Sequence, residues 1–155
     1  MCVFSFASID ELNQDLGPQA QYGRSKLAQL LHMRYLTTHV TSQHPNILFN
    51  ATHPGFVSTK MSTADVHEPY PVAGYAMSHG MEPFKKDQWE GAVSTLYAAT
   101  ATKNSGEYVC PPATVEPGSE LSNNKELGEQ LMKLTREIVA EKTDARQKGC
   151  PLKDY

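Results

Sequence analysis

The sequence predicts an α/β fold that carries one end of a larger parallel sheet, covered by helices. Three observations lead there. Long stretches of helical apolar spacing alternate with short apolar runs bounded by turn residues. The order of helix, strand, loop, helix, strand and helix is the pattern of parallel βαβ units. Only two strands are legible, whereas a parallel sheet wants several, with both faces covered.

Each element follows from local signals. Gly17-Pro18 breaks the chain and opens a helix, because proline suits the first helical position. That helix runs over about 18–42. Leu27, Leu30, Leu31 and the aliphatic stem of Arg34 fall to one side, with Leu36 and Val40 further on. His44-Pro45 ends it. NILFNAT, residues 46–52, reads as a short buried strand, and Pro54-Gly55 turns the chain after it. Residues 62–83 form a long loop rich in proline, histidine and methionine, a type of loop that is usually functional or disordered. A second helix covers about 85–101, where Trp89, Ala92, Val93, Leu96 and Tyr97 recur as an apolar stripe. GEYVCPP, residues 106–112, is a strand stopped by its prolines. The third helix spans about 123–142. Asn123 is expected to cap it with Glu126 three residues on, Leu127, Leu131, Leu134 and Ile138 form its stripe, and Glu129 faces Lys133 on the wet side. Residues 143–155 make a loose polar tail.

Composition narrows the function class. The 155 residues fit a single domain over 1–155. A chain of that length buries roughly 68–70% of its unfolded surface. The net charge of −3 and the lack of a basic run exclude a non-specific nucleic-acid or anionic-membrane binder. No apolar run reaches transmembrane length, and no signal peptide is legible, so the expected location is cytoplasmic. Cys2, Cys110 and Cys150 lie far apart with no CxxC, which fits a reducing compartment and no disulfide framework. His32 and His39 have no carboxylate or thiol at ligand spacing, so no metal is expected.

Chemistry concentrates in QYGRSKLAQLL, residues 21–31. Tyr22 and Lys26 are four apart, so a helix sets them on one face. An ammonium beside a phenol favours the phenolate, and a phenol so tuned can pass a proton to or from a substrate oxygen. The alternative is structural: Tyr22 packs over the helix start and Lys26 is merely solvated. The turn at Pro54-Gly55 follows a strand, and ligands in open α/β sheets sit beyond the carboxyl ends of strands.

Taken in order, YGRSK and NATHPGFVSTKM resemble the short-chain dehydrogenase/reductase family, and within it the retinol-dehydrogenase-like branch. Tyr22, Ser25 and Lys26 match the family's YxxSK. Pro54, Gly55, Val57 and Thr59 match its proline-glycine motif after the sixth strand. GAVSTLYAAT followed by SGEYVCP is similar to its penultimate helix and last strand, and the likeness covers about residues 7–140.

The resemblance implies the C-terminal part of a Rossmann-like parallel sheet with packing helices, the N-terminal dinucleotide-binding half being absent. It implies an NAD(P)-dependent oxidoreductase that interconverts a carbonyl and an alcohol by hydride transfer. Tyr22 would be the acid/base. Lys26 would tune it and hold the nicotinamide ribose. Pro54 and Gly55 would shape the cofactor turn, and the Val57 backbone and Thr59 would contact the carboxamide and phosphate. The cofactor would be NADP or NAD, with NADP first, and the substrate a small carbonyl or alcohol. Residues 60–84 would form the substrate lobe, with Met61, Tyr70, Tyr75 and Met81 lining it. The family's glycine-rich turn, its NNAG-like segment and its catalytic serine are not legible. The serine is expected before Met1 rather than at Ser5 or Ser8. Three consequences are expected: a truncated chain of little activity alone, a first helix whose apolar stripe stays exposed unless another chain covers it, and association into homo- or hetero-oligomers through exposed helices. The alternative function is a non-catalytic interaction subunit that pairs with a full-length relative.

Overall fold

The structure is a computed structural model, and it describes residues 4–58, 80 and 85–142. The expectations for Thr59, Met61, Tyr70, Tyr75, Met81, nearly all of the 62–83 loop and the 143–155 tail lie outside the described residues. The chain divides into two compact units, Met1–Phe49 with Gly118–Tyr155, and Asn50–Pro117.

The first unit is helical. A short helix, α1 (Ile9–Asn13), starts at Ser8, whose hydroxyl accepts from the Glu11 amide. The second, α2 (Pro18–His39), begins with Pro18 after Gly17, as the sequence predicts. A 3₁₀ turn (Leu121–Asn123) leads into the unit's last helix, α4 (Lys125–Lys142), which follows α3 (Gln88–Thr100) of the second unit in chain order. Asn124 caps α4: its side-chain oxygen accepts from the Leu127 amide at 2.9 Å. This displaces the expected cap, Asn123, whose amide group donates instead to the Ser119 carbonyl.

Helix α2 packs on α4. Phe6, Leu31 and Leu127 are buried, and Phe4, Leu12, Leu27, Ala28 and Leu131 close around them. Gly128 lies at the contact, where a Cβ would meet the Leu31 carbonyl oxygen at 3.7 Å, an ordinary van der Waals distance. The expectation of an exposed stripe on α2 is thus corrected. Leu27 and Leu31 are covered from within the chain, by α4 and by the segment holding Phe6.

The second unit holds the sheet. Strand β1 (Ala51–Thr52) pairs parallel with β2 (Tyr108–Cys110), and β2 pairs antiparallel with β3 (Thr114–Glu116), in the order β1-β2-β3. Helix α3 (Gln88–Thr100) packs on β1 and β2. The parallel pair with a helix in its connection agrees with the βαβ reading. The antiparallel β3 was not legible, because Thr114–Glu116 is a three-residue strand with every residue exposed and no apolar alternation to mark it. Pro111-Pro112 stands at the turn before it with a cis bond between the two prolines.

The expected strand over 46–52 shrinks to two residues. The carbonyls of Ile47 and Phe49 accept from the Thr41 and Thr37 hydroxyls at 3.1 and 3.4 Å, which takes that stretch out of a ladder. The stripe expected on α3 is only partly buried. Gly91 and Ser94 face inward and Ala92 and Tyr97 are half-buried, while Trp89, Val93 and Leu96 are exposed. Among the described residues no helix is long and apolar enough to cross a membrane.

Candidate active site

The structure sets Tyr22 and Lys26 on one exposed face of the first turns of α2. Tyr22 is 53% exposed. The Lys26 Nζ stands over its ring, 5.4 Å from the centroid, and also donates to Gln29 Oε1 at 3.4 Å. Ser25, the third motif residue, donates its hydroxyl to the Tyr22 carbonyl at 2.8 Å. That is the back-bond of a helical serine. Both members of the pair therefore present their polar ends to solvent, within reach of one ligand. The donor set is a phenol with an adjacent ammonium, which suits a substrate oxygen and a ribose hydroxyl. The residues present fit a nicotinamide cofactor on that chemistry.

The opposite face of the same turns is anchored. Arg24 is 7% exposed. Its Nη1 donates to the Glu11 carbonyl at 2.9 Å, and its Nη2 donates to the Leu12 carbonyl at 2.6 Å and to Gln21 Oε1. Glu11 in turn gathers the upstream segment. Its carboxylate accepts from the Ser5 hydroxyl at 2.5 Å and from the Ser5, Phe6 and Ala7 amides at 2.8, 3.1 and 2.9 Å. The Ser5 hydroxyl bond, followed by these backbone bonds and working against burial, holds the Glu11 carboxyl at about 2, well below its ordinary 4.5. Ser5 and Ser8 are thereby engaged in local structure, Ser5 on Glu11 and Ser8 as the α1 cap.

In the second unit the residues after β1 form a braced turn. His53 donates its amide to the Val109 carbonyl at 2.8 Å, and the Gly55 amide donates to His53 Nδ1 at 2.9 Å. Gly55 has a φ of +78, and a Cβ there would stand 3.0 Å from Pro111 Cγ, so both conformation and space favour glycine. Val57 bridges to Lys86: Ser58 donates to the Lys86 carbonyl at 2.9 Å and Lys86 donates to the Phe56 carbonyl at 2.8 Å. Val57 also fills the space at Gly91, where a Cβ would come within 2.5 Å of Val57 Cγ2. Pro54 is exposed and Val57 half-buried. Tyr22 and Lys26 are brought together within the first unit, and Pro54, Gly55 and Val57 within the second.

Other titratable groups are tuned away from such chemistry. Burial, with Cys110 alongside, pushes Tyr108 up to about 12. Burial also raises the Cys110 thiol, which makes it a poor nucleophile at neutral pH. His39 meets Glu129 at 2.6 Å and stacks on Tyr35 at 4.1 Å, so Glu129 bridges from α4 to α2. A cleft of about 270 Å³ lies further along α2, lined by Leu31, Arg34, Tyr35, Thr38, Gly128 and Glu129 and by neither Tyr22 nor Lys26.

Sequence reasoning missed Arg24, Glu11 and Gly91. Arg24 had one available signal. It sits two residues from Tyr22 in a helix, so it must point nearly opposite to an exposed phenol.

No family model matches the chain, and no solved structure does. The chain is similar to the putative oxidoreductase bli-4, mitochondrial, of Neurospora crassa. The two are 52% identical over 155 residues, which is 96% of this chain and 38% of that protein. It is also similar to the chloroplastic short-chain dehydrogenases TIC 32 A and TIC 32 B of Brassica napus, at 34% identity over 79 residues, which is 50% of this chain and 23% of each. The chain thus spans well under half the length of the curated relatives it matches. The expectation of a cytoplasmic location is overturned, since these relatives are named as mitochondrial and chloroplastic and point to an organelle. The relatives' names support an oxidoreductase kinship of the short-chain dehydrogenase kind.

Proposed function

We propose that the chain works as an NAD(P)-dependent oxidoreductase of the short-chain dehydrogenase kind, interconverting a carbonyl and an alcohol in an organelle. The observation that carries this reading is the Tyr22/Lys26 pair on one exposed helix face, with Nζ 5.4 Å from the ring centroid. The relatives' names support it independently. The cofactor, when bound, supplies or accepts a hydride. Tyr22 gives its phenolic proton to the carbonyl oxygen in reduction, or takes the alcohol proton in oxidation. The Lys26 ammonium stabilises the phenolate left behind and can donate to a ribose hydroxyl. Backbone groups of the turn at Pro54, Gly55 and Val57, with the Thr59 hydroxyl, are the proposed contacts for the cofactor's nicotinamide end. NADP is proposed ahead of NAD, and residues 60–84 are the proposed substrate lobe.

Replacing Tyr22 by phenylalanine tests this directly. The hydroxyl stands at a half-exposed position, so Tyr22→Phe is expected to keep the native circular dichroism and melt while carbonyl reduction falls to background. Unchanged turnover would remove Tyr22 from the mechanism.

A second reading draws on α3. Trp89 is 84% exposed and Leu96 60% exposed on one helix face. Such a face favours an interaction subunit that pairs with a full-length relative. Sedimentation of the chain alone and with that relative separates the readings: a stable complex without turnover supports the second.

A further inference from the structure

We propose that Arg24, the middle residue of YGRSK, is the positioning residue of the Tyr22/Lys26 pair, because it locks the rotation of α2 by clamping the helix onto the end of α1. The inference rests on the reading of that pair as the proton-transfer site.

In a helix, side chains two apart stand on nearly opposite sides, while side chains four apart share one. The motif is two-faced accordingly. Tyr22 and Lys26 are exposed, and Arg24 is 7% exposed. The guanidinium reaches back to two successive carbonyls, Glu11 at 2.9 Å and Leu12 at 2.6 Å, and to the Gln21 side chain. Those carbonyls lie in the last turn of a five-residue helix, and that of Glu11 also accepts from the Gln14 amide at 3.2 Å, so the guanidinium joins the bond that closes α1.

The receiving segment is itself held at several points. Glu11 binds three amides and a hydroxyl upstream, and Phe6 and Leu12 enter the cluster around Leu31. Apolar contact is non-directional, so by itself it sets how close α2 lies and only weakly how it is turned. A planar fork on two neighbouring carbonyls has a fixed geometry and supplies the missing constraint. A rotation of about 10° moves an oxygen standing ~6 Å from the helix axis by about 1 Å. A displacement of that size at a reacting group costs on the order of 10²-fold in rate.

The experiment uses the whole 155-residue chain carrying tyrosine labelled with ¹³C at Cζ. Tyr22→Phe assigns the Tyr22 resonance. In Arg24→Met that resonance is expected to shift or broaden while the Tyr35, Tyr97 and Tyr108 resonances hold, and Arg24→Lys is expected to restore it in part. In turnover, Arg24→Met is expected to lower kcat by about tenfold or more, with KM within about twofold. A Tyr22 resonance unchanged in Arg24→Met, in a chain whose other tyrosine lines show it folded, overturns the proposal. If Arg24→Met does not fold, Gln21→Ala removes one acceptor of the clamp, and a smaller shift of the same resonance is required of it. Turnover that survives Tyr22→Phe defeats the catalytic reading alone. An unmoved Tyr22 resonance with normal turnover defeats the clamp alone.

Discussion

Glu11 shows how much one half-buried carboxylate can organise. It holds Ser5, Phe6 and Ala7 through four hydrogen bonds, and those bonds keep its carboxyl near 2 rather than 4.5. A carboxyl depressed on folding contributes stability that is fully present above its unfolded value and lost as pH falls through the folded one. The contribution of Glu11 therefore stands above about 4.5 and fades toward 2. An acid titration followed by circular dichroism is expected to lose stability across that window. In Glu11→Gln that part of the pH dependence should vanish and the chain should be weaker by about 1–3 kcal/mol at neutral pH, because the amide NH₂ would face donors. Gly91 is the second telling residue. A methyl group there meets Val57 Cγ2 at 2.5 Å, so Gly91→Ala is expected to cost about 1–3 kcal/mol in denaturant melts. A neutral result would show that the turn after β1 yields easily. Neither role was legible beforehand. Each role depends on atoms that face the residue from elsewhere in the chain, the Ser5, Phe6 and Ala7 groups at Glu11 and the Val57 side chain at Gly91.

At the scale of elements, α2 and α4 were readable and α3 was readable only in part. Leu127, Leu131 and Leu134 recur at helical spacing, and the structure buries or half-buries all three. Leu31 answers them from α2 at 1% exposure. Leu31→Ala is expected to cost about 2–5 kcal/mol in a thermal or denaturant melt. A loss under 1 kcal/mol would mean that the α2–α4 seam is not the core of its unit. In α3 the start is set by a capping box, Asp87 with Glu90. Its face was misassigned because helical spacing fits two rows: Trp89, Val93 and Leu96, and Gly91 and Ser94. Periodicity favours the row of large residues. The sheet takes the row of small ones, because Val57 already occupies the space against Gly91. Short elements escaped for a related reason. Strand β3 and α1 have three and five residues, too few for a period, and partners elsewhere in the chain hold them.

For the whole molecule, the decisive measurement is a melt with saturating NADPH or NADH. A ligand that binds only the native state raises its stability. The proposed function predicts an upward shift with one of the two, NADPH before NADH. A sharp melt indifferent to both would remove cofactor binding from this chain and favour the interaction reading. The relatives' names corrected the expected compartment, which composition alone had no means to reveal.

The sequence by itself determined what is local. The start of α2 at Pro18, the adjacency of Tyr22 and Lys26, the turn at Pro54-Gly55 and the stripe of α4 all depend on residues a few positions apart, where backbone geometry leaves little choice. Tertiary structure decided what depends on distant partners. It buried Arg24 on the carbonyls of Glu11 and Leu12, brought His39 to Glu129, left Trp89, Val93 and Leu96 of α3 exposed and set the carbonyls of Ile47 and Phe49 on the Thr41 and Thr37 hydroxyls. A hydrogen bond or a close packing contact exists only once both partners are in place, and spacing along the chain carries no record of a partner tens of residues away.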